Sequence, residues 1–239
     1  MSLRTIAVIP ARYASTRFPG KPLALLKGKP IIQHVWERVS QTGLFDSVLV
    51  ATDDERINTA VKAFGGTVRM TSSDHPSGTD RIAEVIKDLD CDLVFNVQGD
   101  EPFIETEPLT DLLTAFQDNT IQVASLMTPI INPDDITNPN VVKVVTDHAL
   151  SALYFSRSPI PCNRDNLPGA VYFRHIGVYA YRKAALLQFI SLPEGHLERL
   201  EKLEQLRLLE NGIPLQMVIT TYTGKDINTP EDLLNAQLD

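Results

Sequence analysis

The chain has 239 residues, 22 of them basic and 30 acidic, with 43% apolar content and a net charge of −8. No apolar run nears the ~20 residues of a membrane span, and glycine and proline are at ordinary levels, so membrane-spanning, collagen-like and low-complexity classes are excluded. The acidic balance speaks against nucleic acid as a partner, and nothing in the pattern suits a membrane surface. Cys91 and Cys162 stand far apart with no second Cys or His at metal-ligand spacing, so neither a zinc site nor a disulfide framework is expected and a reducing cytoplasm is the expected location. The charge is unevenly placed. The first acidic residue is Glu37, and before it come Arg4, Arg12, Arg17, Lys21, Lys27 and Lys29, so an anion is expected near this segment.

Taken in chain order, the opening apolar run stops at Pro10 without a cleavage-site pattern, which makes Thr5 to Ile9 a first strand and not a signal segment. Ile31, Ile32, Val35, Trp36 and Val39 follow Pro30 at helical spacing, and Gly43 closes that helix. A strand at Ser47 to Ala51, a helix at Glu55 to Phe64, a short strand at Thr67 to Met70, a helix at Asp80 to Leu89 and a strand at Leu93 to Val97 complete an alternating half. The fold class is α/β, a mainly parallel twisted sheet with flanking helices. In such sheets ligands lie beyond the carboxyl ends of the strands, so residues 10–21, 71–81 and 98–102 should converge on one cleft.

From about residue 120 the pattern changes. Extended segments at Gln122 to Pro129, Val141 to Thr146, Ala152 to Phe155 and His175 to Tyr181 have few helices between them, which predicts a smaller mixed or antiparallel β extension. Residues 163–172 read as an exposed loop. Leu197, Leu200, Leu203 and Leu206 predict one face of a helix ended by Asn211-Gly212, with Glu198, Glu201, Glu204, Arg199, Lys202 and Arg207 on a solvated, salt-bridged face. A strand at Leu215 to Thr220 and a helix opened by Thr229-Pro230 finish the chain. One domain spans 1–239, with no linker long enough to divide it.

Three segments carry chemistry. Ile9 to Pro22 leaves a strand with Arg12, Ser15, Arg17 and Lys21 and no acid, and Gly20 permits close backbone approach, which is how a loop grips a polyphosphate. Neither a Walker A spacing nor G-x-G-x-x-G occurs, so ordinary P-loop and dinucleotide readings lose their support. The plain alternative is that the arginines pair with surface acids. Asp100, in N-V-Q-G-D-E-P, stands at a strand's carboxyl edge, where a carboxylate can hold Mg²⁺ while phosphates complete the shell, although Gly-Asp is also a common turn. Ser77-Gly78-Thr79-Asp80-Arg81 runs into a helix whose free N–H groups suit a nucleobase or phosphate, or are simply capped. Arg157 and His175 are placed to bind an acidic substrate, though lone residues of this kind are commonly structural.

With these residues in view, the chain resembles the 3-deoxy-manno-octulosonate (Kdo) cytidylyltransferases over essentially its whole length. The resemblance is carried by IPARYASTRFPGKPL (9–23), ATDDERI (51–57), MTSSDHPSGTDRIAEV (70–85), NVQGDEPF (96–103), NPNVVKVV (138–145), ALYFSRSPIP (152–161), RHIGVYAYR (174–182), LEKLEQLRLLENG (200–212) and TPEDL (229–233). It implies a glycosyltransferase-A-like, nucleotide-diphospho-sugar transferase fold, Mg²⁺ as cofactor and a homodimer, with residues 1–120 as a nucleotide-binding half and 121–239 as a sugar-binding and dimerisation half. It implies the reaction of CTP with Kdo to give CMP-Kdo and pyrophosphate, for lipopolysaccharide synthesis. By motif, Ala11, Arg12, Ser15, Arg17 and Lys21 resemble the triphosphate grip, with Arg12, Lys21 and Asp100 as the catalytic set. Ser77, Gly78 and Arg81 resemble part of the cytidine pocket, with Gln98 on both sides of the cleft. Arg157, His175, Tyr179, Glu204 and Gln205 resemble the sugar side.

The chain departs from the family's pattern at Asn228. The family usually has an aspartate just before T-P-E-D-L that completes the metal site with the Asp100 equivalent. Asn228 keeps a carbonyl oxygen but not the charge, which predicts a higher Mg²⁺ requirement, and Asp226 is the nearest carboxylate to compensate. The same nucleotide loop suits a cytidylyltransferase for another 2-keto acid sugar, such as an 8-amino relative of Kdo, but the segments 152–161 and 174–182 favour Kdo. A non-catalytic nucleotide-binding module has only Asn228 in its favour, and Lys21, Gln98 and Asp100 argue against it.

Overall fold

A computed structural model describes residues 3–15 and 17–238. β1 (Thr5–Ala11) leads through a loop to a small hairpin, β2 (Leu25–Leu26) and β3 (Lys29–Pro30), and then to α1 (Ile31–Gln41) and β4 (Ser47–Thr52). α2 (Glu55–Ala63), β5 (Thr67–Met70), α3 (Gly78–Ile86) and β6 (Leu93–Asn96) follow, and the four long-paired strands lie parallel in the order β6-β1-β4-β5. β1 and β6 read as continuous apolar runs because helices cover both faces of the sheet. α2 and α3 start where their sequence provides caps: Asp54 accepts the amide of Arg56 at 2.9 Å, and Ser77 Oγ accepts those of Thr79 and Asp80 at 3.1 and 3.2 Å. That cap sets the first residue of α3 at Gly78, two before the position expected from the apolar periodicity.

The second half adds α4 (Thr106–Ala115), β7 (Val123–Pro129), α5 (Asp134–Thr137), β8 (Lys143–Thr146), β9 (Ala152–Ser156) and β10 (Phe173–Arg182). It ends with α6 (Lys183–Ser191), α7 (His196–Glu201), α8 (Leu206–Glu210), β11 (Gln216–Ile219) and α9 (Pro230–Leu238). β10 runs antiparallel between β6 and β7, so one nine-stranded sheet passes through both halves in the order β11-β7-β10-β6-β1-β4-β5, with β8 and β9 branching from the early part of β10. This is the mixed extension that the change of pattern after residue 120 predicts. A register shift between Ile176 and Tyr179 re-aims the side chains of β10 next to the cleft.

Two large apolar layers hold the sheet. Ile32 and Val35 of α1, Ile57 and Val61 of α2 and Leu109 and Leu112 of α4 pack on one face; Ile82 and Ile86 of α3, Leu186 and Phe189 of α6 and Leu206 and Leu208 of α8 pack on the other. A smaller cluster of Leu26, Ile31, Ile227 and Ala236 ties α9 under the first loop. No helix among the described residues is long and apolar enough to cross a membrane.

The leucine-striped helix differs from expectation. It is two short helices, α7 and α8, separated at Lys202, whose φ of 54° breaks the ladder. Leu200 is 69% exposed instead of sharing the core face. The acids placed on a solvated face have interior partners instead: Glu198 meets Arg207 at 2.6 and 2.7 Å, Glu201 accepts from Ser156 Oγ and the Arg157 amide at 2.6 and 2.9 Å, and Glu204 accepts from Ser77 and Thr79. A buried polar group without a partner is costly, and breaking the helix gives all three one.

Candidate active site

The three loops beyond the parallel strands converge as the topology requires. One cleft is lined by Ala11, Arg12, Ser15, Arg17 and Lys21 from the first, His75, Ser77, Gly78 and Arg81 from the second, and Gln98, Gly99 and Asp100 from the third. The first loop is closed by the Gly20 amide on the Tyr13 carbonyl at 2.9 Å, with Gly20 at a φ of 72°, and by the Phe18 amide on Ser15 Oγ at 3.3 Å. Tyr13 turns away beneath the Arg56 guanidinium, 3.2 Å from its ring centroid. Arg12 and Arg17 are exposed and pair with no acid among the described residues, so the surface-pairing alternative does not describe this loop.

Lys21 is the exception. Its Nζ lies 2.5 Å from Asp100 Oδ2, and both side chains are mostly buried. The lysine and the carboxylate that the sequence assigns to phosphate and to metal neutralise one another across the cleft floor. Their approach depends on Gly99: a Cβ there would stand 2.8 Å from the Pro10 carbonyl oxygen, so only glycine lets the third loop lie against the first.

In the second loop Ser77 is both helix cap and cleft residue, and its hydroxyl is 2.7 Å from Asp80 and from Glu204. Arg81 is buried; its guanidinium donates to Thr71 Oγ1 and lies 3.3 Å from Asp53 Oδ1, so it shapes the cleft wall from behind. His75 was not singled out from sequence. Its Nε2 pairs with Glu84, which also accepts the Ser72 amide at 3.0 Å and is thereby held below the usual carboxylate range.

A second cavity continues from Gln98 and Asp100 to Glu101, Asn140, Arg174, His175 and Asp226. Gln98 is oriented by its amide on Asn96 Oδ1 at 2.9 Å. Burial pushes the Glu101 carboxyl up to about 7 despite a 2.8 Å hydrogen bond from the Tyr222 hydroxyl. Glu101 and Tyr222 also escaped the sequence reading, although Glu101 follows Asp100 directly.

His175 is buried, and desolvation lowers its imidazole to about 3, so it is neutral. Ser125 Oγ lies 2.9 Å from His175 Nε2 and 2.9 Å from the Val178 carbonyl. A carbonyl can only accept, so with the Ser125 proton on it Nε2 is the donor to Ser125 and Nδ1 the acceptor. Tyr179 packs 5.4 Å from the His175 ring, and burial pushes its hydroxyl far up. Glu204, raised by burial against the pull of the Ser77 and Thr79 hydroxyls, joins the second loop to the α7–α8 turn. Gln205 is buried beside it with its amide nitrogen unpartnered among the described residues.

Arg157 is placed elsewhere. Its guanidinium donates to the carbonyls of Glu201, Pro139 and Lys202 at 2.7, 2.9 and 3.4 Å, and it does not line the cleft. Asn228 is spent in a similar way: its amide donates to Asp226, and its backbone N–H to Asp232 at 2.9 Å. Asp226, not Asn228, lines the cavity that contains Asp100, held close by the Ile227 amide on the Asp100 carbonyl at 2.9 Å.

This arrangement has close relatives. A cytidylyltransferase family model matches residues 6–227. A 3-deoxy-manno-octulosonate cytidylyltransferase of Syntrophotalea carbinolica is 51% identical over 97% of this chain and 96% of its own, and one of Flavobacterium johnsoniae is 52% identical over 98% of both. The chain belongs to the 3-deoxy-manno-octulosonate cytidylyltransferases. A solved structure of a family member, CMP:2-keto-3-deoxy-manno-octonic acid synthetase complexed with CTP, superposes with a TM-score of 0.94 at 45% identity, covering 98% of this chain and 97% of that one. The family's fold extends further: a 4-diphosphocytidyl-2C-methyl-D-erythritol synthase from Anaerococcus prevotii shares it at a TM-score of 0.66 and 16% identity.

The donor set bears on a metal. Among the described residues no three His, Cys, Asp or Glu side chains converge to hold an ion by themselves. Asp100 and Asp226 offer hard oxygens on one cavity wall beside the cationic loop. One or two carboxylates with room for phosphate oxygens fits Mg²⁺ shared between protein and nucleotide, and does not fit a soft metal.

Proposed function

We propose that this chain transfers CMP from CTP to the anomeric 2-hydroxyl of Kdo and releases pyrophosphate. The observation that carries the reading is the convergence of an acid-free cationic loop, a capped helix start and Asp100 on one cleft, with a second cavity opening from Gln98 and Asp100. The hydroxyl forms a bond to the α-phosphorus as the bond to pyrophosphate breaks, so positioning and charge balance suffice and no covalent protein intermediate is needed.

Arg12, Ser15 and Arg17 hold the triphosphate, and Lys21 leaves Asp100 to meet the charge that grows on the departing phosphates. Ser77, Gly78 and Arg81 shape the cytidine end; Gln98, His175, Tyr179, Glu204 and Gln205 shape the acceptor end. Mg²⁺ would be held by Asp100 with Asp226 or Asn228, and when bound it supplies charge neutralisation and a more acidic acceptor hydroxyl. The product fits lipopolysaccharide synthesis, and the cytoplasm is the proposed location.

A homodimer is proposed as well. It is supported by Leu153 on β9 and Leu200 on the adjoining α7, which are 61% and 69% exposed. Light scattering at working concentration tests it, and a monomer would contradict it. For the reaction, the test is pyrophosphate release from CTP with and without Kdo across a Mg²⁺ titration. Kdo-dependent release is expected; release that ignores Kdo, or none at any Mg²⁺ concentration, would overturn the reading.

A further inference from the structure

The acceptor cavity is crowded with acid. Asp100, Glu101 and Asp226 line it; Lys21 offsets the charge of Asp100 from the cleft floor, but none of these carboxyls attracts a sugar carboxylate, and His175 is neutral. Among the described residues one cation lines that cavity: Arg174, on β10 directly before His175. Its side chain is 29% exposed, and its nearest ionic partner, Asp226, stands 3.6 Å from Nη2, beyond hydrogen-bonding distance. The guanidinium forms no hydrogen bond to the described residues, so its donors are unspent. The absence of a side chain at Gly224 keeps the space beside it open, since a Cβ there would lie 3.8 Å from Arg174 Nη2 and 3.7 Å from Glu101 Oε1.

Arg157, the other arginine in reach of sequence reasoning, has the opposite status. Its donors are committed to three backbone carbonyls, and these contacts pin β9 to the end of α7. An arginine recognises a carboxylate by presenting paired N–H groups that are not otherwise engaged.

We propose that Arg174 is the specificity-determining residue that reads the carboxylate of the acid-sugar acceptor, and that Arg157 is structural. The proposal rests on the transferase reading above and adds to it the group that separates an acid sugar from a neutral one. Occupation by the substrate carboxylate replaces the long contact to Asp226 with a bidentate one, so recognition costs the protein no existing hydrogen bond.

The experiment compares Kdo with its C1 methyl ester in pyrophosphate release, using wild type, Arg174→Met, Arg174→Lys and Arg157→Met, with CTP binding by calorimetry and thermal unfolding on each. Wild type is expected to prefer the acid, and Arg174→Met to lose that preference by about 10- to 100-fold in kcat/KM with CTP affinity unchanged. Arg174→Lys is expected to keep part of the preference, because an ammonium supplies charge without the paired geometry. Arg157→Met is expected to unfold at lower temperature and keep the preference. If Arg174→Met fails to fold, Arg174→Lys decides: a wild-type preference in it overturns the proposal. Arg174→Met with an undiminished preference, or Arg157→Met with an abolished one, overturns the assignment while leaving the transferase reading standing. Absence of Kdo-dependent release by wild type overturns both.

Discussion

The wall that carries Arg12, Ser15, Arg17 and Lys21 and the wall that carries Arg174, His175 and Tyr179 handle charge in opposite ways. On the first, cations come from one contiguous loop with no acid in it, and two of them stay exposed with no ion pair among the described residues. On the second, charged groups come from the loop after β6, from β10 and from the segment before α9, and acids outnumber the cation. The first wall suits a ligand with many negative charges; the second offers one guanidinium among carboxyls and suits a ligand whose charge is localised. A loop can be assembled locally, whereas a shaped pocket requires several elements in fixed register.

The largest effects should fall where the walls meet. Lys21→Ala and Asp100→Ala are each expected to lower turnover by about 10²- to 10³-fold with the circular dichroism spectrum kept, while the unfolding temperature falls because either change strands a mostly buried charge. Full activity in either variant would show that the walls meet somewhere else.

Next in size is the scaffold of the second wall. Glu198 and Arg207 are paired with about a tenth of each side chain exposed. Removing one partner by Arg207→Met leaves a buried carboxylate, and a loss of about 3 kcal/mol in urea unfolding is expected, with CTP affinity retained at temperatures where the fold persists. Burial alone would raise Glu198, but the hydrogen bonds from Arg207 and the Gly195 amide hold it below its ordinary 4.5. Its contribution is therefore present above that value and lost as pH falls through the lower, folded-state value.

His175 gives the second wall an acid limit. Burial depresses the folded imidazole to about 3, while the unfolded side chain titrates near 6.5, so between these values the unfolded state binds the extra proton and stability falls as pH drops. The slope is about 1.4 kcal/mol per pH unit, or about 2 kcal/mol from pH 6.5 to pH 5, and His175→Asn is expected to remove it in urea titrations at both pH values.

Asn228→Asp should have the smallest effect: a several-fold lower Mg²⁺ requirement with turnover at saturating Mg²⁺ about the same. An unchanged Mg²⁺ curve would mean that Asp226 alone accompanies Asp100.

The two walls also differ in how far the sequence discloses them. The residues of the first wall lie on loops that leave strand ends, and the parallel topology dictates which way those ends face, so Arg12, Lys21, Ser77 and Asp100 could be placed together from pattern alone. The second wall depends on facts with no local signature. The shift in β10 between Ile176 and Tyr179, the left-handed Lys202 that splits the leucine helix, and the carbonyls that occupy Arg157 all arise from long-range contacts. Glu101 is the instructive case: its sequence neighbour announces the site, but its upward shift comes from burial by the assembled fold, and the partner that opposes the shift, Tyr222, is 121 positions away.

The close contact at Gly99 has a consequence for how the cleft is dimensioned. β1 and β6 are neighbours in register, Val8 opposite Asn96, and the chain leaving β6 runs on beside the end of β1, so that Gly99 lies against Pro10. The gap between the anion-gripping loop and the acidic one is therefore set by a hydrogen atom standing where every other amino acid has a carbon. Even one methyl group there would wedge the seam open and displace the strand end and the loop together, altering both cavities that meet at Asp100 in a single stroke. An atom the chain does without serves as the gauge for the whole site.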